Sequence, residues 1–218
     1  MGILVFLNDY KLYKLRKGCY MPDITKERKI EIEKEVHQIL SKTGYNPFPQ
    51  NSLIVDIVQL VKAHDFAVQT SEMDLNTTGC LIVNDLETVM DTNKNRLIVV
   101  NKNFKNNNND NNVVLKKSRF ITAHEYGHFI LHKKNGQPIY AHRDTDHRTD
   151  PQELEADYFA RSILMPYESV KQYVDIIKSL NIYKDVKESI PLLSTIFKVT
   201  KDKVSKRLND LEELKGYM

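Results

Sequence analysis

Cysteine is scarce. Cys19 and Cys80 are the only two, far apart and without a C-x-x-C pair. That excludes a disulfide scaffold and points to a reducing compartment or to two incidental thiols. Long apolar runs are missing as well. The N-terminal "ILVFL" is too short for the core of a signal peptide and has no basic region before it, and Phe6 breaks the myristoylation pattern. No stretch approaches the roughly 18 apolar residues of a membrane span. Charge of one sign is not in excess: 32 Lys and Arg stand against 29 Asp and Glu, a net +3, with no basic tail. Such a balance neither demands nor excludes nucleic acid. The glycosylation sequon at Asn76 carries little weight without an export signal. The expectation is a soluble cytoplasmic protein with no membrane partner.

What is present is 218 residues, 41% of them apolar and 28% charged, enough for one sizeable core plus a small appendage. Residues 1–23 form an extension. Residues 24–42 carry an apolar stripe (Ile24, Ile30, Ile32, Val36, Ile39 and Leu40) on a charged helix. Pro47 and Pro49 break the chain, and "SLIVDIVQLVKAHD" reads as a second helix capped by Asn51 or Ser52. "FAVQT", "CLIVN" and "RLIVVN" are three strands, close enough in sequence for an antiparallel meander. The Asn-rich stretch 103–112 reads as a loop, residues 118–133 as a helix, and 134–150 as a long loop. A helix follows "DPQELEADYFARSILM", with Asp150 at the cap and Pro151 at the first position, and then an amphipathic helix from Tyr167.

The informative stretch is "FITAHEYGHFILH" at 120–132. On a helix, His128 lies about 40° round from His124 and about 6 Å along the axis, so both imidazoles can reach one ion. Phe120, Ile121, Gly127 and Leu131 share that inward face. An unpartnered polar group there costs free energy, and a metal removes that cost. Glu125 projects about 60° to one side of His128, suited to a general base beside an open metal position rather than to ligation. Gly127 costs about 1 kcal/mol in mid-helix and leaves room for another backbone, such as a sheet strand. His132 lies about 12 Å from His124 along the axis, too far to share the ion, and reads as a helix-end histidine or one that supports a ligand.

Two histidines need a third protein ligand. In "ELEAD" the apolar stripe of Ala156, Phe159, Ala160, Ile163 and Leu164 places Glu153 inward and Glu155 more than about 100° away, toward solvent. The competing reading of Glu153 is a capping box with Asp150. Asp157, one turn on, either holds the outer nitrogen of a ligating histidine or is an ordinary surface aspartate.

"RFITAHEYGHFILH" followed by "ELEADYFARSILMP" resembles the ImmA/IrrE family of zinc metallopeptidases, related in motif to the gluzincins, which pair HExxH with a downstream ExxxD. The resemblance implies one Zn(II) per chain held by His124, His128 and Glu153, with Glu125 as general base. It also implies cleavage of a protein substrate, a helix-turn-helix repressor of a mobile element, phage or stress response, and hence derepression of transcription. The Asn-rich insert and the 1–23 extension are departures from the family pattern. A substrate strand would pair with a sheet edge such as "GCLIVND". Tyr140, His142, Arg143 and His147 are oxyanion-stabilising candidates by their place in the 134–150 loop.

The expected fold is α+β and mostly helical: a small three-stranded antiparallel sheet beside the active-site helix, a peptidase domain over 24–182 and a helical hairpin over 183–218. In that hairpin Thr200 caps the last helix, with Val204, Leu208 and Leu211 inward. Lys198, Lys201, Lys203, Lys206 and Arg207 allow a rival reading, a DNA-binding or protein-binding regulator with structural zinc, but a hairpin packed on the catalytic body is favoured.

Overall fold

The computed structural model describes residues 23–44, 54–74, 76–84, 93–103, 111–133, 139–144, 150–181, 183 and 185–216. The extension before residue 23, Asn51 and Ser52, most of the Asn-rich stretch and His147 lie outside the described residues. Among the described residues the fold is α+β: seven α-helices, one 3-10 turn and four strands.

Helix α1 (Lys26–Lys42) starts where the Thr25 hydroxyl accepts from the Arg28 amide at 3.2 Å. It buries Ile32, Val36, Ile39 and Leu40 as expected, but the same stripe also carries Lys29 and Glu33. Helix α2 (Ile57–Ala63) is shorter than the expected 52–65, because Asp56 accepts from the Gln59 amide at 3.1 Å and begins the helix there.

Strands β1 (Phe66–Ser71), β2 (Thr77–Val83), β3 (Arg96–Asn101) and β4 (Ile139–Asp144) form one sheet in the order β1-β3-β2-β4. The three-stranded antiparallel meander is therefore corrected on two counts. The sheet is mixed, since β1 and β3 run parallel while β2 is antiparallel to both neighbours. It also has a fourth strand, drawn from the segment expected to be loop. Strand β3 takes an interior place because both of its faces are apolar: Leu97, Ile98, Val99 and Val100 are all buried. One face meets the main core, and the other meets Cys80 with Ala67, Met73 and Ile82. Strand β2 is interior too, so "GCLIVND" is not a free edge; β1 and β4 are the edge strands.

Helix α3 (Asn111–His132) starts well before Ser118, with the Lys116 ammonium donating to the Ser194 hydroxyl at 3.0 Å. It lies between the sheet and α4 (Pro151–Leu164), so residues 120–128 are buried all round rather than on one stripe. Helix α5 (Tyr167–Ser179), a 3-10 turn (Val186–Ser189), α6 (Ile190–Ile196) and α7 (Lys201–Glu213) complete the chain. In α7, Val204 is buried and Leu208 and Leu211 are partly so. Arg207 also points inward: it is 0% exposed and its guanidinium donates to both oxygens of Glu33. Tyr158 and Ser162 of α4 donate to the same carboxylate at 2.9 and 2.7 Å. Burial pushes the Glu33 carboxyl up, but the Arg207 charge and the hydrogen bonds of Arg207, Ser162 and Tyr158 together outweigh it and hold the group below its ordinary range. Of the basic residues that suggested DNA binding, only Lys198, Lys201 and Lys206 are exposed. No helix among the described residues is long and apolar enough to cross a membrane.

Candidate metal centre

Two helices build the site. On α3 the i, i+4 spacing brings the Nε2 atoms of His124 and His128 to 3.1 Å from each other. Both residues are buried, at 0% and 5% exposure. Helix α4 supplies the third group. Its start is set by Asp150, whose carboxylate accepts from the Gln152 amide at 2.8 Å, and by Pro151 in the first turn. That frees Glu153 from the capping-box role. Its two oxygens stand 3.1 Å from Nε2 of His124 and 3.0 Å from Nε2 of His128.

The two helices approach closely because Gly127 lets them. A Cβ there would lie 3.0 Å from the Phe159 ring and 3.3 Å from the Ala156 Cα. The backbone that Gly127 admits is thus helix α4, not a sheet strand as expected. The strand approaches one residue pair away: a Cβ on Gly79 of β2 would lie 2.9 Å from Oε1 of Glu125 and 2.4 Å from Cγ2 of Ile121. Glu125 is 0% exposed, held between α3 and this bare point of the strand. An isolated glycine inside a strand signals such an approach, and Gly79 was legible on that ground.

Asp157 reaches the outer nitrogen of His124: its Oδ1 is 2.9 Å from Nδ1. An ionised carboxylate can only accept, so Nδ1 of His124 carries the proton and Nε2 presents a bare lone pair. The second Asp157 oxygen is 3.4 Å from the Lys203 ammonium, which reaches in from α7 and lies 3.9 Å from the Phe120 ring centroid. Glu155 does not face solvent as expected. It accepts from Arg28 of α1 at 2.7 Å and lies 3.2 Å from Nε2 of His132. Helical angle alone misses that pairing, because its partner sits more than 100 positions away in the chain.

Burial pushes the Glu153 carboxyl up, and the two imidazoles that face its oxygens bring it below its ordinary range. It is an anion at neutral pH. An imidazole lone pair aimed at an anion and at a second imidazole nitrogen is unfavourable unless a cation lies among them. Tetrahedral zinc with bonds of about 2.0–2.1 Å separates its ligand atoms by about 3.3 Å, close to the spacings here. His124, His128 and Glu153 therefore form a cluster that fits a metal ion by donor type, charge and separation. Cys80 is not part of it. Burial, with the charge of Glu125 adding, pushes its thiol up to about 11, so it stays protonated and unreactive.

Tyr140, His142 and Arg143 lie on β4, where Tyr140 pairs with Ile82 and His142 with Cys80 across to β2. Between Thr77 and Cys80 that pairing slips, which puts the irregularity at Thr78 and Gly79, the latter beside Glu125.

Residues 64–209, which are 146 of the 218, match a peptidase family model described as the IrrE N-terminal-like domain. No curated protein matches the chain. The matched span contains both site helices, the whole sheet and most of α7, while α1 precedes it. The chain belongs to the IrrE N-terminal-like family of peptidases.

Proposed function

We propose that this protein is a zinc-dependent endopeptidase of the cytoplasm that hydrolyses a peptide bond in a helix-turn-helix repressor. The observation that carries the reading is the convergence of His124, His128 and Glu153 beside a carboxylate, Glu125, that belongs to the same helix but is not one of the three. A purely structural site has no use for such a neighbour.

In this reading His124, His128 and Glu153 hold the zinc. Bound there, zinc supplies a Lewis acid that polarises the scissile carbonyl and lowers the pKa of water toward about 7. Glu125 takes the proton from the attacking water and passes it to the leaving amine. Asp157 keeps the proton of His124 on Nδ1, so that Nε2 stays available. The bare Gly79 leaves Glu125 the room to stand beside the reacting atoms. An extended substrate adds to β4, whose inner side is paired with β2 and whose outer side has no strand among the described residues. Tyr140, His142 and Arg143 on that strand, and His147 beyond it, are the candidates for steadying the oxyanion.

The test compares wild type with Glu125→Gln, both zinc-loaded, on a panel of purified helix-turn-helix repressors, with intact mass as the readout. The variant keeps its zinc and loses about 10²–10⁴ in rate. Undiminished cleavage by Glu125→Gln, or cleavage by wild type after a chelator has stripped the metal, overturns the assignment.

A further inference from the structure

The outer nitrogens of the two imidazoles are held differently. His124 meets a carboxylate directly, whereas Nδ1 of His128 lies 3.2 Å from Nδ1 of a third histidine, His132. Nε2 of His132 is 3.2 Å from Oε2 of Glu155, and that oxygen accepts from the Arg28 guanidinium at 2.7 Å. The side chains grow steadily more exposed along this path: 6% at His128, 12% at His132, 21% at Glu155 and 33% at Arg28.

With neutral imidazoles, one proton arrangement satisfies the contacts along this path and leaves the ligand atom of His128 free for a cation. Oε2 of Glu155 pairs with the Arg28 guanidinium, a group that only donates, and so meets both of its neighbours as a carboxylate oxygen. It can therefore only accept, which places the proton of neutral His132 on Nε2. Nδ1 of His132 is then an acceptor, and it takes the proton that His128 carries on its own Nδ1. Nε2 of His128 is left as the lone pair, and it is the atom that faces Glu153 and His124. The opposite tautomer of His128 would set two lone pairs against each other at the Nδ1–Nδ1 contact with His132 and put a proton on the atom that faces Glu153 and His124.

We propose that Arg28, Glu155 and His132 are a positioning relay that fixes the tautomer and orientation of His128 and so sets the affinity of the metal centre. The proposal rests on the reading of His128 as a ligand. It makes α1, which precedes the family-matched span, a working part of the site. A partly exposed ion pair such as Arg28–Glu155 contributes little to folding by itself, about 0–1 kcal/mol, so changing it perturbs the relay more than the fold.

The experiment is a Zn(II) titration against a competing chelator on the full chain, for wild type, His132→Phe, Glu155→Leu, Arg28→Met, Arg28→Lys and the control His128→Ala. Thermal melts of the metal-free proteins establish which variants are folded. His132→Phe and Glu155→Leu raise the zinc Kd by about 10–100-fold. Arg28→Met raises it in the same direction by less, and Arg28→Lys restores it. With Co(II) as the probe, His132→Phe shifts the visible ligand-field bands, whereas Arg28→Lys keeps the wild-type spectrum. A Kd within about twofold of wild type in both His132→Phe and Glu155→Leu overturns the relay. Should neither fold, an unchanged Kd in Arg28→Met does the same. If His128→Ala loses zinc while the relay variants keep it, the relay alone fails. If wild type does not bind zinc, the ligand assignment fails with it.

Discussion

Replacing Gly79 with Ala tests how the sheet and the active-site helix share space. The added methyl would sit 2.4 Å from Cγ2 of Ile121, 2.9 Å from Oε1 of Glu125 and 3.3 Å from the Val99 carbonyl oxygen. The first contact is with a branch on Cβ, stiff at χ1 and 5% exposed, so it cannot swing aside. Either Ile121 leaves its rotamer or α3 moves off the strand. Overpacking of this kind costs about 1–3 kcal/mol, and in a chain of this size each kcal/mol lowers Tm by about 2–4 °C. The second contact displaces Glu125, and misplacing a reacting group by about 1 Å costs about 100-fold in rate. The three heavy atoms nearest the added methyl, out to 3.3 Å, belong to none of the three metal-fitting residues, so zinc affinity holds. The assays are urea unfolding, repressor hydrolysis and zinc titration on the same preparation. Adding Ile121→Ala removes the offending Cγ2, so the pair costs less stability than the sum of the singles. Wild-type stability and wild-type hydrolysis in Gly79→Ala would refute the reasoning.

Arg207→Met strands the Glu33 carboxylate in the core with only Tyr158 and Ser162 as donors; the loss is about 3–5 kcal/mol, read by urea unfolding. The stability that Arg207 lends is present above the ordinary carboxylate pKa and lost as pH falls through the lowered pKa of Glu33, so the gap between wild type and variant narrows in acid. Lys198 turns the chain between α6 and α7 with φ of 51°, a left-handed conformation that glycine adopts without strain. Lys198→Gly therefore raises stability by about 0.5–1 kcal/mol, seen as a higher Tm, and a lower Tm would contradict that account.

The parts of the site set by local geometry were legible in the sequence. His124 and His128 follow from the pitch of one helix, and Glu153 follows from the apolar stripe of another. His132, set apart by its distance along the axis, lies outside the cluster of three. Parts that depend on remote partners were not legible. Glu155 looked solvent-facing because its partners, Arg28 and His132, belong to other helices. Arg207 looked like a surface charge because Glu33 lies 174 positions away. The sheet order was misread since strand proximity in sequence favours a meander, whereas burial of both faces put β3 between β1 and β2. Strand β4 was hidden by a segment rich in Gly, Pro and charge; its pairing with β2 is what makes it a strand.

The central claim is that three side chains from two helices hold one zinc. Elemental analysis of the purified full chain, alongside a folded Glu153→Ala variant, tests it most directly. The account predicts one zinc per chain in wild type and its loss in the variant. Zinc retained at full stoichiometry without the Glu153 carboxylate, or a wild-type chain that takes up none when zinc is offered, would contradict it.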